Sequence, residues 1–404
     1  MQETLRPRTV EEVRSAIEWA VASETPLALR GHGSKEAYGR PVRATHALEL
    51  SGLSGIIDYE PAELVLTLRT GTPIAEVEAL VAQNGQELSF EPMDLGPLLG
   101  LTEGAGSIGG VIAANLSGPR RIKAGAARDH ILGCEAVSGR AEIFRAGGKV
   151  VKNVTGYDLP RALCGSFGTL AVATEVTLKV NPKPESSATF CLRGLGEAQG
   201  IAALCEAMGS SAEVSGAAHL PDGLEIGEGA LTLLRLEGFP TSIDYRFDIL
   251  LKRLGHLGTP ERLGSDATAQ VWRRIRDCQP LASGEAPVWK ISVPPASGAA
   301  YVAALRNRFD VKVIHDWSGG LIWLRCEDGR HHADEIRAAL AAVGGGHATL
   351  VRASAAERRD VPVFQPQPAA LAALSARLKH QFDPVGILNP GRMVADVPAK
   401  VEKA

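Results

Sequence analysis

Two glycine-rich stretches hold the residues best suited to chemistry in this chain: Arg30-Gly31-His32-Gly33-Ser34 and Gly104-Ala105-Gly106-Ser107-Ile108-Gly109-Gly110. Glycine lets the backbone approach a ligand closely and adopt positive φ. Consecutive N–H groups in such loops form a concavity suited to phosphate oxygens. Two loops from separate parts of the chain can grip the two phosphates of a dinucleotide, although either one alone reads equally well as a tight turn. The second stretch contains G-x-G-x-x-G at Gly104, Gly106 and Gly109, with Asp129 at about the ~20-residue spacing of a ribose-binding acid. Its surroundings oppose a Rossmann unit. Pro97-Leu98-Leu99-Gly100 precedes it where a buried strand is needed, Gly118-Pro119 stops any following helix, and Asp129 comes before a strand rather than after one.

Other side chains add charge but no complete site. Arg120, Arg121 and Lys123 can neutralise a carboxylate or phosphate, because a guanidinium meets such oxygens bidentately. A solvated basic loop or a partner-docking surface explains them equally well. Cys134, Cys164, Cys191, Cys205, Cys278 and Cys326 form no CxxC pair, so they read as reduced, mostly buried thiols, not as zinc or cluster ligands. No metal site is expected, and the sequence assigns no catalytic residue.

The elements that must position these loops follow from periodicity. Thr9-Val10-Glu11-Glu12 reads as a capping box, and Val13, Ile17, Ala20 and Val21 continue at helical spacing. Pro26 ends that helix, and Leu27-Ala28-Leu29-Arg30 is a short strand leading into the first loop. A strand is expected over 64–69 and a helix over 73–84, where Pro73 costs nothing in the first turn. Residues 131–180 read as strands and turns, ending in the β-branched run 169–180. Asn181-Pro182-Lys183-Pro184-Glu185-Ser186-Ser187 is the clearest linker. Beyond it, strands near 188–195, 214–220, 229–238, 287–294, 311–316, 320–326 and 347–352 alternate with helices near 197–208, 242–255, 266–278, 298–308 and 331–343. Two successive β-α-β-β-α-β units would give an antiparallel, ferredoxin-like sheet with helices on one face. A last helix spans 369–380.

Composition narrows the function classes. The 404 residues carry 22% charged and 45% hydrophobic side chains, which suits globular domains with ample cores. A net charge of −3 and 5% aromatics argue against nucleic acid or an anionic lipid surface as partner. Residues 1–10 lack the apolar core of a signal peptide, and no apolar run is long enough to span a bilayer. The cytoplasm is the expected location, with peripheral attachment to the inner membrane through a partner left open.

The ordered set of segments resembles a family. The two glycine loops, then Arg128-Asp129-His130-Ile131-Leu132-Gly133, then Gly165-Ser166-Phe167-Gly168-Thr169-Leu170 are similar to the FAD-binding domain of the p-cresol methylhydroxylase (PCMH) and vanillyl-alcohol oxidase type. Ser117-Gly118-Pro119-Arg120-Arg121, the stretch from Gly148 to Asp158, and Gly386-Ile387-Leu388-Asn389-Pro390-Gly391-Arg392 resemble the FAD-binding E subunits of bacterial glycolate oxidase (glycolate dehydrogenase). The resemblance covers nearly the whole chain.

It implies an α+β fold. Residues 1–182 would form a PCMH-type FAD-binding domain of two subdomains, 183–370 an antiparallel-sheet, ferredoxin-like cap on the substrate side, and 371–404 a segment returning to the flavin. The implied diphosphate ligands are backbone amides of Arg30, Gly31, His32, Gly33 and Ser34 and of Gly106, Ser107, Ile108, Gly109 and Gly110. Asn115, Gly118, Arg128 and Asp129 would line the flavin side, Gly168, Thr169, Leu170 and Val172 would offer further contacts, and Asn389 would reach the isoalloxazine. Lys152 would place a cation near the flavin, where it favours the anionic reduced form. Tyr157 and Asp158 read equally as structural or functional. His32 sits one position before the family's usual attachment histidine, so FAD is expected to be non-covalent.

The catalytic D-type relatives carry an H-x-G-D-G-N-x-H stretch in the cap, whose imidazoles can hold a divalent ion. The nearest counterpart here begins at His315 and reaches Trp323 where the second histidine would be expected. The resemblance therefore implies an FAD-bearing, electron-transferring subunit that serves glycolate oxidation to glyoxylate beside a catalytic flavoprotein D-type subunit and an iron–sulfur F-type subunit. An autonomous FAD-dependent 2-hydroxy-acid (D-lactate-like) dehydrogenase is the alternative.

Overall fold

The first helix, Val10–Ala22, starts where Thr9 Oγ1 accepts the Glu12 amide at 3.2 Å. Glu12 reaches back as a capping box should, but to the Arg8 amide (2.6 Å), one residue beyond the N-cap. The helix buries Val13, Ile17 and Ala20. They pack on a small parallel sheet with His46–Glu49 in the middle, flanked by Glu3–Leu5 and Leu27–Arg30. The computed structural model describes residues 3–149, 156–223 and 226–395.

A second subdomain is a five-stranded antiparallel sheet, in the order Ile56–Glu60, Val65–Arg69, Ala171–Lys179, Ile131–Ser138, Ile143–Gly147. Its central strand is the β-branched run read from the sequence, joined on both sides to strands far away in the chain. Helix Ile74–Gln83 follows Pro73 as expected and buries Val77 and Val81 against Leu66, Leu68, Val176 and Leu178.

The cap is one eight-stranded antiparallel sheet made of two β-α-β-β-α-β halves. The first runs Ser186–Arg193, helix Glu197–Met208, Gly216–Leu220, Leu231–Gly238, helix Pro240–Leu254, Glu261–Leu263. The second runs Val288–Ser292, helix Gly298–Arg306, Val311–Asp316, Leu321–Cys326, helix Ala333–Ala342, His347–Arg352. Both halves were legible as periodicity; the short strand Glu261–Leu263 and the seam between the halves were not. The seam joins Gly216–Leu220 to Val311–Asp316 through the register pair His219 and His315. Both sheet faces are covered, so a strand such as Leu321–Cys326 reads as a nearly continuous apolar run. Ala217 and Leu234 face the helices, while Ala218, Leu233 and Ile314 face the FAD-type domain.

After the largely exposed helix Ala369–Phe382 the chain returns to the first subdomain. The buried Asp383 carboxylate accepts the amides of Gly386, Ile387 and Leu388 at 2.9 to 3.1 Å. This sets Leu388 beside Leu27 as a parallel bridge.

A buried ion network fastens cap to domain. Arg235, on the cap, holds Glu91 bidentately (2.7 and 3.0 Å), and Arg120 meets Glu87 (2.7 Å) and the cap residue Glu237 (2.7 and 3.0 Å). Arg120 is thus committed to protein carboxylates and is not a ligand cation. Burial alone would raise the Glu91 carboxyl, but the charges of Arg235 and Arg120 outweigh it and hold the group at about 2. Because that value lies below the ordinary 4.5, Glu91 stabilises the fold above about pH 4.5, and this contribution is lost as pH falls toward 2. Glu91→Gln leaves two guanidinium groups short of a buried partner and is expected to cost about 3 kcal/mol. Urea unfolding at pH 7 should show that loss, and the wild-type advantage should shrink on acidification toward pH 3.

Candidate functional site

A cleft of about 330 Å³ separates the two subdomains. One side is the loop that follows Leu27–Arg30. The other is helix Ile108–Ala113 with strands Ile131–Ser138 and Ala171–Lys179, and Leu29, Val42, Leu50, Ile112, Val172 and Val176 make its walls apolar.

The first glycine loop is built to turn its amides inward. Arg30 closes the strand, and its guanidinium bonds to Glu49 (3.0 and 3.1 Å) and Glu36 (3.1 Å), which makes it a strut. Carbonyls of the following turn are taken from outside. Arg392 donates to Lys35 O (2.7 Å), Glu36 O (3.0 Å) and Arg40 O (3.2 Å), and Arg358 donates to Gly39 O (2.6 Å). With the carbonyls held there, the consecutive amides of Gly31, His32, Gly33, Ser34 and Lys35 make no hydrogen bond among the described residues. Gly31 must lack a side chain, because a Cβ there would stand 2.5 Å from Ser107 Oγ, and Gly33 takes φ 79°.

The second loop meets the first but offers less. Ile108 N donates to Thr72 O (3.0 Å), Gly109 N to Thr70 O (2.8 Å) and Gly110 N to Ser107 Oγ (3.3 Å). Only the amides of Gly106 and Ser107 stay unbonded among the described residues. The expected run from Gly106 to Gly110 therefore narrows to its first two members; Ile108 and Gly109 stitch the wall to the turn after Val65–Arg69, and Gly110 bonds the Ser107 side chain that caps the helix.

Sequence reasoning missed Lys35, which the loops enclose. Its ammonium lies 3.1 Å from Ser34 Oγ, and a Cβ at Gly106 or Gly110 would come within 3.1 or 3.4 Å of it. No ion pair balances it among the described residues. Burial lowers the Lys35 ammonium to about 8, against the opposing pull of Asp94. The available signal was a basic residue directly after a glycine loop.

Other expected residues divide clearly. His32 lines the cleft with its Nε2 bonded to Gly71 O at 2.8 Å. Gly168, Val172 and Asn389 also line it. Both ends of the Asn389 amide are occupied, since Oδ1 accepts from Leu29 N and Nδ2 donates to Phe167 O, each at 2.7 Å. Ile108 and Leu170 are core residues, and Thr169 Oγ1 donates to Ser166 O. Asn115 accepts the Arg128 amide and Asp129 the Ala126 amide, so these residues shape the turn before Ile131–Ser138. Gly118 packs against Glu91 and Arg276 at the cap seam. Lys152 lies outside the described residues. Asp158 caps helix Leu159–Leu163, and Tyr157 is 88% exposed. The six cysteines are free thiols. His315 lies on the helix face of the cap sheet, bonded to Glu197, and so points away from the FAD-type domain.

Comparison with known proteins agrees with this architecture. The model of the FAD binding domain family matches residues 2–147. Glycolate oxidase subunit GlcE of Escherichia coli (strain K12) is 34% identical over 381 residues, covering 94% of this chain and 95% of that one. Glycolate oxidase subunit GlcD of Bacillus subtilis (strain 168) is 31% identical over 187 residues, 46% of this chain and 38% of its own length. A crystal structure of p-cresol methylhydroxylase superposes with a TM-score of 0.73 over 97% of this chain and 88% of that one, at 15% identity, which is a likeness of fold.

The residues present fit the diphosphate of FAD: a row of unbonded amides, a close approach kept open at Gly31, and the unbalanced Lys35 cation. Lys35→Met should weaken FAD binding roughly tenfold, the worth of one charge-assisted contact. Because the charged form is the one that helps, wild-type affinity should fall as pH rises through about 8, and the variant should lack this slope; fluorescence titration of the apoprotein reads both. Asn389→Ala removes two backbone contacts and is expected to cost about 2 kcal/mol of stability, measured by thermal melting.

Proposed function

Because this chain belongs to the family of the glycolate oxidase subunit GlcE, whose fold binds FAD, we propose that it is the FAD-binding subunit of a complex oxidising glycolate to glyoxylate. When bound, FAD supplies a two-electron acceptor that can release electrons singly. In this reading the chain relays those electrons between a catalytic flavoprotein D-type subunit and an iron–sulfur F-type subunit. The observation that carries the reading is the row of unbonded amides from Gly31 to Lys35 in a chain collinear with GlcE over 95% of its length.

The chain's own residues act by binding and orienting. Arg392 and Arg358 hold the turn after the loop through its carbonyls, so the amides need no rearrangement to meet phosphate oxygens. Lys35 neutralises charge that the amides alone leave unmatched. Apolar walls exclude water from the ring-bearing half of the cofactor. The His32 ring is already bonded to Gly71 O, which supports non-covalent attachment. His315 sits on the helix side of the cap, which supports a division of labour in which a D-type partner handles the substrate's hydroxyl proton. The complex works in the cytoplasm, with any hold on the inner membrane made through partners; no described helix is long and apolar enough to cross a membrane.

Two measurements test this. Acid precipitation should release all the flavin into the supernatant, and flavin retained in the pellet would overturn non-covalent binding. Anaerobic glycolate should leave the yellow colour of the isolated chain intact and bleach it only after the D-type partner is added. Bleaching of the chain alone would replace the relay with autonomous 2-hydroxy-acid oxidation.

A further inference from the structure

Among the described helices of eight residues or more, Ala369–Phe382 alone buries no side chain. Residues 369–378 are exposed without exception. At 14 residues the helix is no longer than the isolated helices, about 12–15 residues, that are marginal in water. Most helices in folded proteins gain their stability from a packed apolar face. This one has such a face with nothing on it. Leu371, Leu374 and Leu378 follow one another at spacings that place them on one stripe, and they are 48%, 54% and 40% exposed. Single exposed leucines are ordinary, whereas a run of them along one helix face marks a contact surface.

The helix is held at its two ends. Pro366 and Pro368 lead into it, and Gln365 before them accepts the Ala348 amide of the cap sheet at 3.2 Å. At the other end Lys379 donates to Thr169 O (2.6 Å) and Leu388 O (3.0 Å) and pairs with the buried Asp383. Phe382 packs on Phe144 with ring centroids 5.9 Å apart. Thr169 and Leu388 are the chain neighbours of Gly168 and Asn389, which line the cleft. The stripe is thus tied to the cleft wall, with Leu378 next in sequence to the lysine that makes the tie.

Charge and shape select the occupant. From Val361 to Phe382 there is no Asp or Glu, while the exposed Arg377 adds positive charge beside the stripe. A second copy laid against the same stripe would bring like charges together, which opposes self-pairing. A lipid surface is opposed as well. Interfacial helices carry Lys or Arg along a polar face and often an aromatic residue opposite, but residues 369–376 hold no charge and the exposed stripe no aromatic ring. Alanine fills the other positions of 369–376 except Ser375, so the leucines stand out as knobs for a grooved protein surface. The basic edge suits a subunit whose electron carrier is an anionic, thiolate-ligated cluster.

We propose that Leu371, Leu374 and Leu378 dock the iron–sulfur subunit, through an apolar groove on that subunit edged by carboxylates that face Arg377. That such a subunit takes electrons from the cofactor in the adjoining cleft rests on the function proposed above.

The test is titration of the FAD-loaded chain with the purified F-type subunit, the purified D-type subunit and phosphatidylglycerol vesicles, on wild type, Leu374→Ser and Arg377→Glu. Both variants should keep the wild-type FAD content and melting temperature, because neither side chain is buried. Each should lose roughly tenfold or more in affinity for the F-type subunit, and wild-type affinity should fall as salt is added. Wild-type affinity in both variants overturns the docking site and leaves the complex standing. Leucine-dependent binding of the D-type subunit, of vesicles or of a second copy, in place of the F-type subunit, overturns the choice of occupant. A wild-type chain that binds neither subunit overturns the complex and this site together.

Discussion

A loop can present a row of unbonded amides to a ligand only if the turn that follows it is held in place. That requirement organises the first domain. The carbonyls of Lys35, Glu36, Gly39 and Arg40 are taken by Arg392 and Arg358, which come from the far end of the chain. Those arginines are in place because Asp383 gathers the amides of Gly386, Ile387 and Leu388 and because Asn389 ties Leu29 to Phe167. The cleft is therefore closed by the turn from Asn389 to Arg392, and its geometry depends on contacts between residues hundreds of positions apart.

Charge is treated in two ways. Where cap and domain must stay together, cations and carboxylates interlock: Arg235 with Glu91, and Arg120 with Glu87 and Glu237. Such a network adds less net stability than its Coulomb energy suggests, but removing one member strands the others. Between the glycine loops, by contrast, Lys35 has no ion pair among the described residues. The cap adds a third case. At its seam His219 Nε2 and His315 Nδ1 are buried without hydrogen-bond partners among the described residues, while Thr232 and Glu197 hold the opposite ring nitrogens. Burial and the neighbouring His315 push the His219 imidazole down to about 4, so it stays neutral there.

Much of this was legible in the sequence because it is local. Strand and helix periods, Pro73 at a helix start and the doubled β-α-β-β-α-β pattern each follow from residues a few positions apart, and the ferredoxin-like cap emerged as read, whereas the expected linker Asn181–Ser187 is structured at both ends: Asn181–Pro182 pairs with Gln86–Glu87, and Ser186–Ser187 open a cap strand. The glycine loops were legible for the same reason, since close approach at Gly31 and Gly109 forbids a side chain. The sequence could not apportion their amides. Whether Gly109 N faces a phosphate or Thr70 O depends on a turn folded against it from elsewhere in the chain.

Composition and spacing thus determined the two kinds of domain, the two glycine loops and the absence of a Rossmann helix. Tertiary structure alone decided which of two adjacent arginines is neutralised, that Lys35 enters the cleft, and that His315 points away from the FAD-type domain. The physical reason is range. Periodicity and glycine sterics act within a few residues, whereas the state of a charge or an amide is set by whichever partner the fold brings within about 3 Å.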